Sequence, residues 1–112
     1  MSNITSHVLD TSKGKPAGGI KIILFKNEDE EWITIAGGIT NVDGRITDLL
    51  EKDVIPAPGI YKLKFETHEY FGKDSVQTFY PFIEIIFEIK DEEHYHVPLL
   101  LNPYGYSTYR GS

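Results

Sequence analysis

The chain has 112 residues, enough for one domain and too few for two separate cores. A chain this short buries only about two-thirds of its unfolded surface, so association with further copies is a natural source of extra burial. The net charge is −6 with no cysteine, 40% hydrophobic and 25% charged residues; scattered lysines and arginines exclude a phosphate-neutralising face, and the missing thiols exclude disulfides, thiolate nucleophiles and Cys-type zinc sites. No stretch approaches the roughly 20 apolar residues of a membrane span. The opening Met1-Ser2-Asn3-Ile4 lacks the basic and apolar regions of a secretory signal, and Arg110-Gly111-Ser112 is not a peroxisomal address. The expected compartment is the cytoplasm, and nucleic acid and membrane are not expected partners.

The patterning is short and period-two, which means strands. Ile4 to Leu9 reads as a first strand, and Lys13-Gly14-Lys15-Pro16 as a turn. Ile20 to Phe25 is β-branched and apolar on both faces, which suits an interior strand. Asn27 to Glu31 is a charge run, read as a solvated loop, and a strand resumes over Glu31 to Gly37. Asn41-Val42-Asp43-Gly44 is a turn leading into Arg45, and Pro56-Ala57-Pro58-Gly59 is another. Ile60 to Thr67 alternates, with Tyr61, Leu63 and Phe65 on one side. Thr67 to Val76 is the one segment that reads as helical. Phe82 to Lys90 and His94 to Leu101 are strands, and Tyr104 to Arg110 closes the chain as a last one. About eight short strands with regular turns predict an all-β sandwich or barrel, a single domain over residues 1–112.

Four histidines carry most of the chemical interest: His7, His68, His94 and His96. His94-Tyr95-His96 puts both imidazoles on one face of a strand, opposite the apolar row Tyr95, Val97, Leu99 and Leu101. The spacing leaves open a zinc site completed by a third histidine, acid–base work near neutral pH, and surface histidines with no role. Arg45, just after a turn glycine, is either an ordinary surface charge or a planar fork for an oxygen-rich anion. The terminal Tyr106-Ser107-Thr108-Tyr109-Arg110-Gly111-Ser112 brings hydroxyls, a guanidinium and the α-carboxylate together, unless the strand simply ends there. No nucleophile elbow, phosphate-cradling loop or dinucleotide fingerprint is present.

These segments resemble one family. The opening His7-Val8-Leu9-Asp10-Thr11-Ser12, with Gly14, Pro16 and Ala17, is similar to the first strand and turn of the 5-hydroxyisourate hydrolases of the transthyretin-like family. So are Thr40-Asn41-x-Asp43-Gly44-Arg45, Pro58-Gly59-Ile60-Tyr61-Lys62-Leu63 and Phe79-Tyr80-Pro81. The run His94-Tyr95-His96-Val97-Pro98-Leu99-Leu100-Leu101 and the end Tyr109-Arg110-Gly111-Ser112 resemble the family's C-terminal signature, which separates these enzymes from the carrier transthyretin. Asn102 stands where a serine is often found.

The resemblance implies a transthyretin-like β-sandwich in two sheets with one short helix, and four chains assembled as a dimer of dimers. It implies hydrolysis of 5-hydroxyisourate to 2-oxo-4-hydroxy-4-carboxy-5-ureidoimidazoline in urate breakdown, with no metal or other cofactor. Carried over by motif, the catalytic residues are His7, Arg45, His96 and Ser112, and the substrate-binding residues are Arg45, Tyr109, Arg110 and Ser112. The base is His96 or His7. Two other classes remain: a transthyretin-like small-molecule carrier, and an interaction domain acting through its edge strands. The hydrolase reading requires His7, Arg45, His96 and Ser112 to converge.

Overall fold

The computed structural model describes residues 2–112. In chain order the elements are β1 (Ile4–Asp10), β2 (Lys15–Pro16), β3 (Lys21–Glu28), β4 (Glu31–Ile39), β5 (Arg45–Ile46), β6 (Gly59–Phe65), α1 (Thr67–Gly72), β7 (Ile83–Ile89), β8 (Tyr95–Asn102) and β9 (Gly105–Thr108). One sheet runs β2-β1-β8-β9, with β5 also on β1; the other runs β4-β3-β6-β7. Strands β1 and β8 are parallel, whereas the other pairs are antiparallel. A parallel pair cannot be joined by a tight hairpin. The chain accordingly builds the second sheet before β8 returns to β1.

Alternation along each strand sends one row of side chains between the sheets. Ile4 and Val8 of β1, Leu24 of β3, Leu63 and Phe65 of β6 and Leu99 of β8 are all 0% exposed. The sandwich expected from sequence is therefore present, with nine strands among the described residues rather than about eight. Two of the strands are two-residue pairings on β1: β2 lies within a segment that reads as a turn, and β5 follows one. The charge run corrects the sequence reading. Asn27 and Glu28 belong to β3, Glu31 opens β4, and only Asp29 and Glu30 form the connection. Both have positive φ, 52° and 68°, as a two-residue hairpin that matches strand twist requires. The helix is shorter than the segment read as helical, ending at Gly72.

Helix α1 is tied to the end of β1 through a buried carboxylate. Asp10 is 0% exposed. It accepts hydrogen bonds from the Ser12 amide at 2.9 Å and the Tyr70 hydroxyl at 2.8 Å. Burial and this contact with Asp10 raise the Tyr70 phenol above its ordinary pKa. Tyr70→Phe deletes one of the partners of a buried charge, and is expected to lower stability by about 1–3 kcal/mol. Urea unfolding should show a lower midpoint with an unchanged slope. An unchanged midpoint would mean that the bond contributes nothing net.

Candidate active site

The outer face of the first sheet carries the polar residues singled out in the sequence. Because Ile4 and Val8 point inward, Thr5 and His7 of β1 point outward. The inward row Tyr95, Val97 and Leu99 likewise turns His96 and Pro98 of β8 outward. Register then fixes neighbours: His7 lies opposite Arg45 of β5 on one side and Pro98 on the other, and Thr5 lies opposite His96. His7, Arg45 and His96 are thus brought together on one face.

Local sequence explains how Arg45 is held. The Asn41 side-chain oxygen accepts from the Asp43 amide at 2.9 Å and the Arg45 amide at 3.0 Å, closing the turn. Gly44 adopts φ +73°, and a Cβ there would meet the Val8 carbonyl oxygen at 2.4 Å. Only glycine lets this turn lie against β1, and the Gly44 carbonyl accepts from the Val8 amide at 2.8 Å. The Asn41-Val42-Asp43-Gly44-Arg45 run is a device that docks an arginine beside His7.

His96 is the most constrained of the group. Its Nδ1 lies 2.8 Å from the Thr5 hydroxyl, which also contacts His94 Nε2 at 2.9 Å. The two imidazoles are nearly parallel, at 22° with centroids 6.3 Å apart. At the chain end, the Gly111 amide donates to the His96 carbonyl at 2.8 Å. A Cβ on Gly111 would meet His96 Cδ2 at 2.5 Å and Pro98 Cγ at 3.2 Å, so the terminus packs directly on the ring. Burial, and then the positive charge available to His94, His7 and Arg45, hold His96 below the ordinary histidine value of 6.5. Its neutral form therefore prevails at neutral pH.

The remaining sequence candidates fall elsewhere. Ser112 follows Gly111 and is exposed at the edge of the His96 neighbourhood. Arg110 turns to the other side of β8: its guanidinium lies 4.3 Å over the Tyr95 ring and 3.6 Å from Glu93. Tyr109 and Arg110 border a groove of about 490 Å³ between β7 and the β8–β9 edge. His68 lies on α1, with its Nδ1 3.4 Å from the Thr78 hydroxyl, away from the outer face of the first sheet. Sequence reasoning passed over Thr5 and Gly111. Thr5 stands two residues before His7, on the same outward row, so strand period alone could have nominated it.

The chain is similar to known proteins in sequence and in fold. Residues 4–111 match the HIUase/Transthyretin family. A 5-hydroxyisourate hydrolase of Salmonella typhi is 49% identical over 113 residues, covering 99% of this chain and 82% of that protein. Among solved structures, sea bream transthyretin in complex with thyroxine superposes with TM-score 0.91 at 30% identity, covering 98% of this chain and 95% of that one. The 5-hydroxyisourate hydrolase of Klebsiella pneumoniae superposes with TM-score 0.84 at 37% identity, covering 97% and 98%. No helix among the described residues is long and apolar enough to cross a membrane. On sequence and on fold, the chain belongs to the HIUase/transthyretin family.

Proposed function

We propose that the protein hydrolyses 5-hydroxyisourate to 2-oxo-4-hydroxy-4-carboxy-5-ureidoimidazoline, on the outer face of the first sheet. The observation that carries this reading is the grouping of His7, Arg45 and His96 by strand register. A product bearing a new carboxyl and a ureido group is what cleavage of a ring carbonyl–nitrogen bond yields. Water attacks the carbonyl, an oxyanion develops, and the ring nitrogen leaves with a proton.

His96 is the general base, because its lowered pKa keeps a lone pair available at neutral pH. Arg45 offers its fork to the substrate oxygens and to the developing oxyanion. His7, paired with Arg45, orients the substrate from the neighbouring strand. Ser112 supplies a hydroxyl and the terminal carboxylate to position water or substrate, while Arg110 and Tyr109 hold the terminus at the rim. Four chains assemble as a dimer of dimers. The open outer face and the exposed Ile86 of β7 and Tyr106 of β9 support association, because a site closed by a second copy excludes bulk water.

The structural likeness to transthyretin is a likeness of fold, which does not fix function. A face with clustered imidazoles and a guanidinium is suited to proton transfer rather than to holding an apolar ligand. Turnover in ¹⁸O-labelled water tests the reaction: one label should enter the product, in its carboxyl group. Product without label would refute attack by water. The pH profile follows from the His96 shift. The base works when unprotonated, so kcat/KM should fall on acidification with a midpoint below 6.5, and stay level above it. A midpoint above that value would assign the base to another group.

A further inference from the structure

We propose that Thr5 is a positioning residue that fixes the tautomer of His96 and joins it to His94 as a proton relay. The proposal deepens the hydrolase reading and rests on it for its catalytic consequence. A threonine hydroxyl has one hydrogen to donate. Thr5 is 2% exposed, and its hydroxyl meets an imidazole nitrogen on either side, at 2.9 and 2.8 Å. At most one of these nitrogens can therefore accept from the hydroxyl, and a nitrogen that carries hydrogen can only donate to it. In the relay arrangement the three groups are linked: an N–H on His96 Nδ1 donates to the Thr5 oxygen and leaves the Thr5 hydrogen for His94 Nε2.

The surroundings of the ring select the useful arrangement. Nδ1 of His96 is occupied by Thr5, and the Cγ–Cδ2 edge is covered by Gly111. The edge left for substrate is Cε1–Nε2. For Nε2 to act as a base, the neutral ring must carry its hydrogen on Nδ1. That N–H donates to the Thr5 oxygen, and the Thr5 O–H donates to His94 Nε2.

The proton balance closes without any further reactant. When water attacks, its O–H bond breaks and an N–H bond forms at His96 Nε2. Nδ1–H then passes its proton to the Thr5 oxygen as the Thr5 hydroxyl proton moves to His94 Nε2. His96 is left neutral, and the charge rests on exposed His94. The reverse transfer restores the Nδ1 proton as Nε2–H protonates the leaving nitrogen. The relay removes positive charge from the neighbourhood of His7 on β1 and Arg45 on β5, the charged groups that face His96 besides His94. Arg110 is engaged with Glu93 and Tyr95 on the other side of β8.

Nitrogen-15 NMR of the imidazoles, with kcat measured on 5-hydroxyisourate, tests both parts. Wild type and Thr5→Ser should hold the Nδ1–H tautomer of neutral His96. Thr5→Val, which keeps the shape and loses the hydroxyl, should release it toward Nε2–H and lower kcat about 10–100-fold, as loss of a partner that orients a histidine typically does. Thr5→Ser should recover most of that rate. His94→Gln still accepts from Thr5 but takes up no proton, so it should keep the tautomer while slowing kcat. A Thr5→Val protein with the wild-type tautomer overturns the locking role. An unchanged kcat in His94→Gln overturns the relay. The tautomer is read without substrate, so failure of wild type to turn over 5-hydroxyisourate would refute the hydrolase reading and leave the Thr5 test standing.

Discussion

His96→Gln is expected to lower kcat on 5-hydroxyisourate by about 100- to 10,000-fold, the usual contribution of a positioned general base. Glutamine keeps a polar planar group beside Thr5 and Gly111, so the fold and substrate binding should persist. KM should change little, because proton transfer matters in the transition state and not in the bound ground state. Stopped-flow decay of fresh substrate gives both constants, and circular dichroism confirms the fold. A fall of less than about tenfold would move the base to another imidazole on that face, His7 first.

Arg45→Gln should show two effects at once. Loss of the guanidinium removes the donors aimed at the developing oxyanion, and is expected to lower kcat/KM by about 100- to 1,000-fold. The charge of Arg45 is also among the causes that depress the His96 pKa. Without it His96 holds its proton more readily, so the acid limb of the residual activity should move to higher pH. Arg45→Lys keeps the charge and loses the planar fork; its acid limb should stay near that of wild type while its rate remains low. An Arg45→Gln protein with an unmoved acid limb would break the electrostatic link between Arg45 and His96.

Most strands of this fold were legible because a buried apolar row alternates with a more polar one, and Ile20 to Phe25 because it is β-branched and apolar on both faces. Tyr61, Leu63 and Phe65 read as one buried row, and all three are buried. Two-residue pairings carry no such period, so β2 reads as part of a turn and the length of β5 after Gly44 is not legible. The hairpin at Asp29-Glu30 was hidden because its charges suit a loop equally well and no glycine marks it. At the candidate site, the face of His94 and His96 could be read from alternation. What placed His96 beside His7 could not: it depends on parallel pairing of β1 with β8, across most of the chain. Family resemblance supplied that grouping before the register did. Arg110 shows the converse. By period two it falls on the Tyr95 side of the sheet, and it is found over that ring.

The most direct measurement is the decay of 5-hydroxyisourate, generated fresh from urate, with protein far below substrate and with a buffer control for spontaneous loss. The account predicts decay well above the buffer rate, many turnovers per chain, and collapse of the catalysed part in His96→Gln. Decay at the buffer rate with folded protein, or loss that stops at one equivalent per chain, would contradict it and leave a transthyretin-like carrier as the better description.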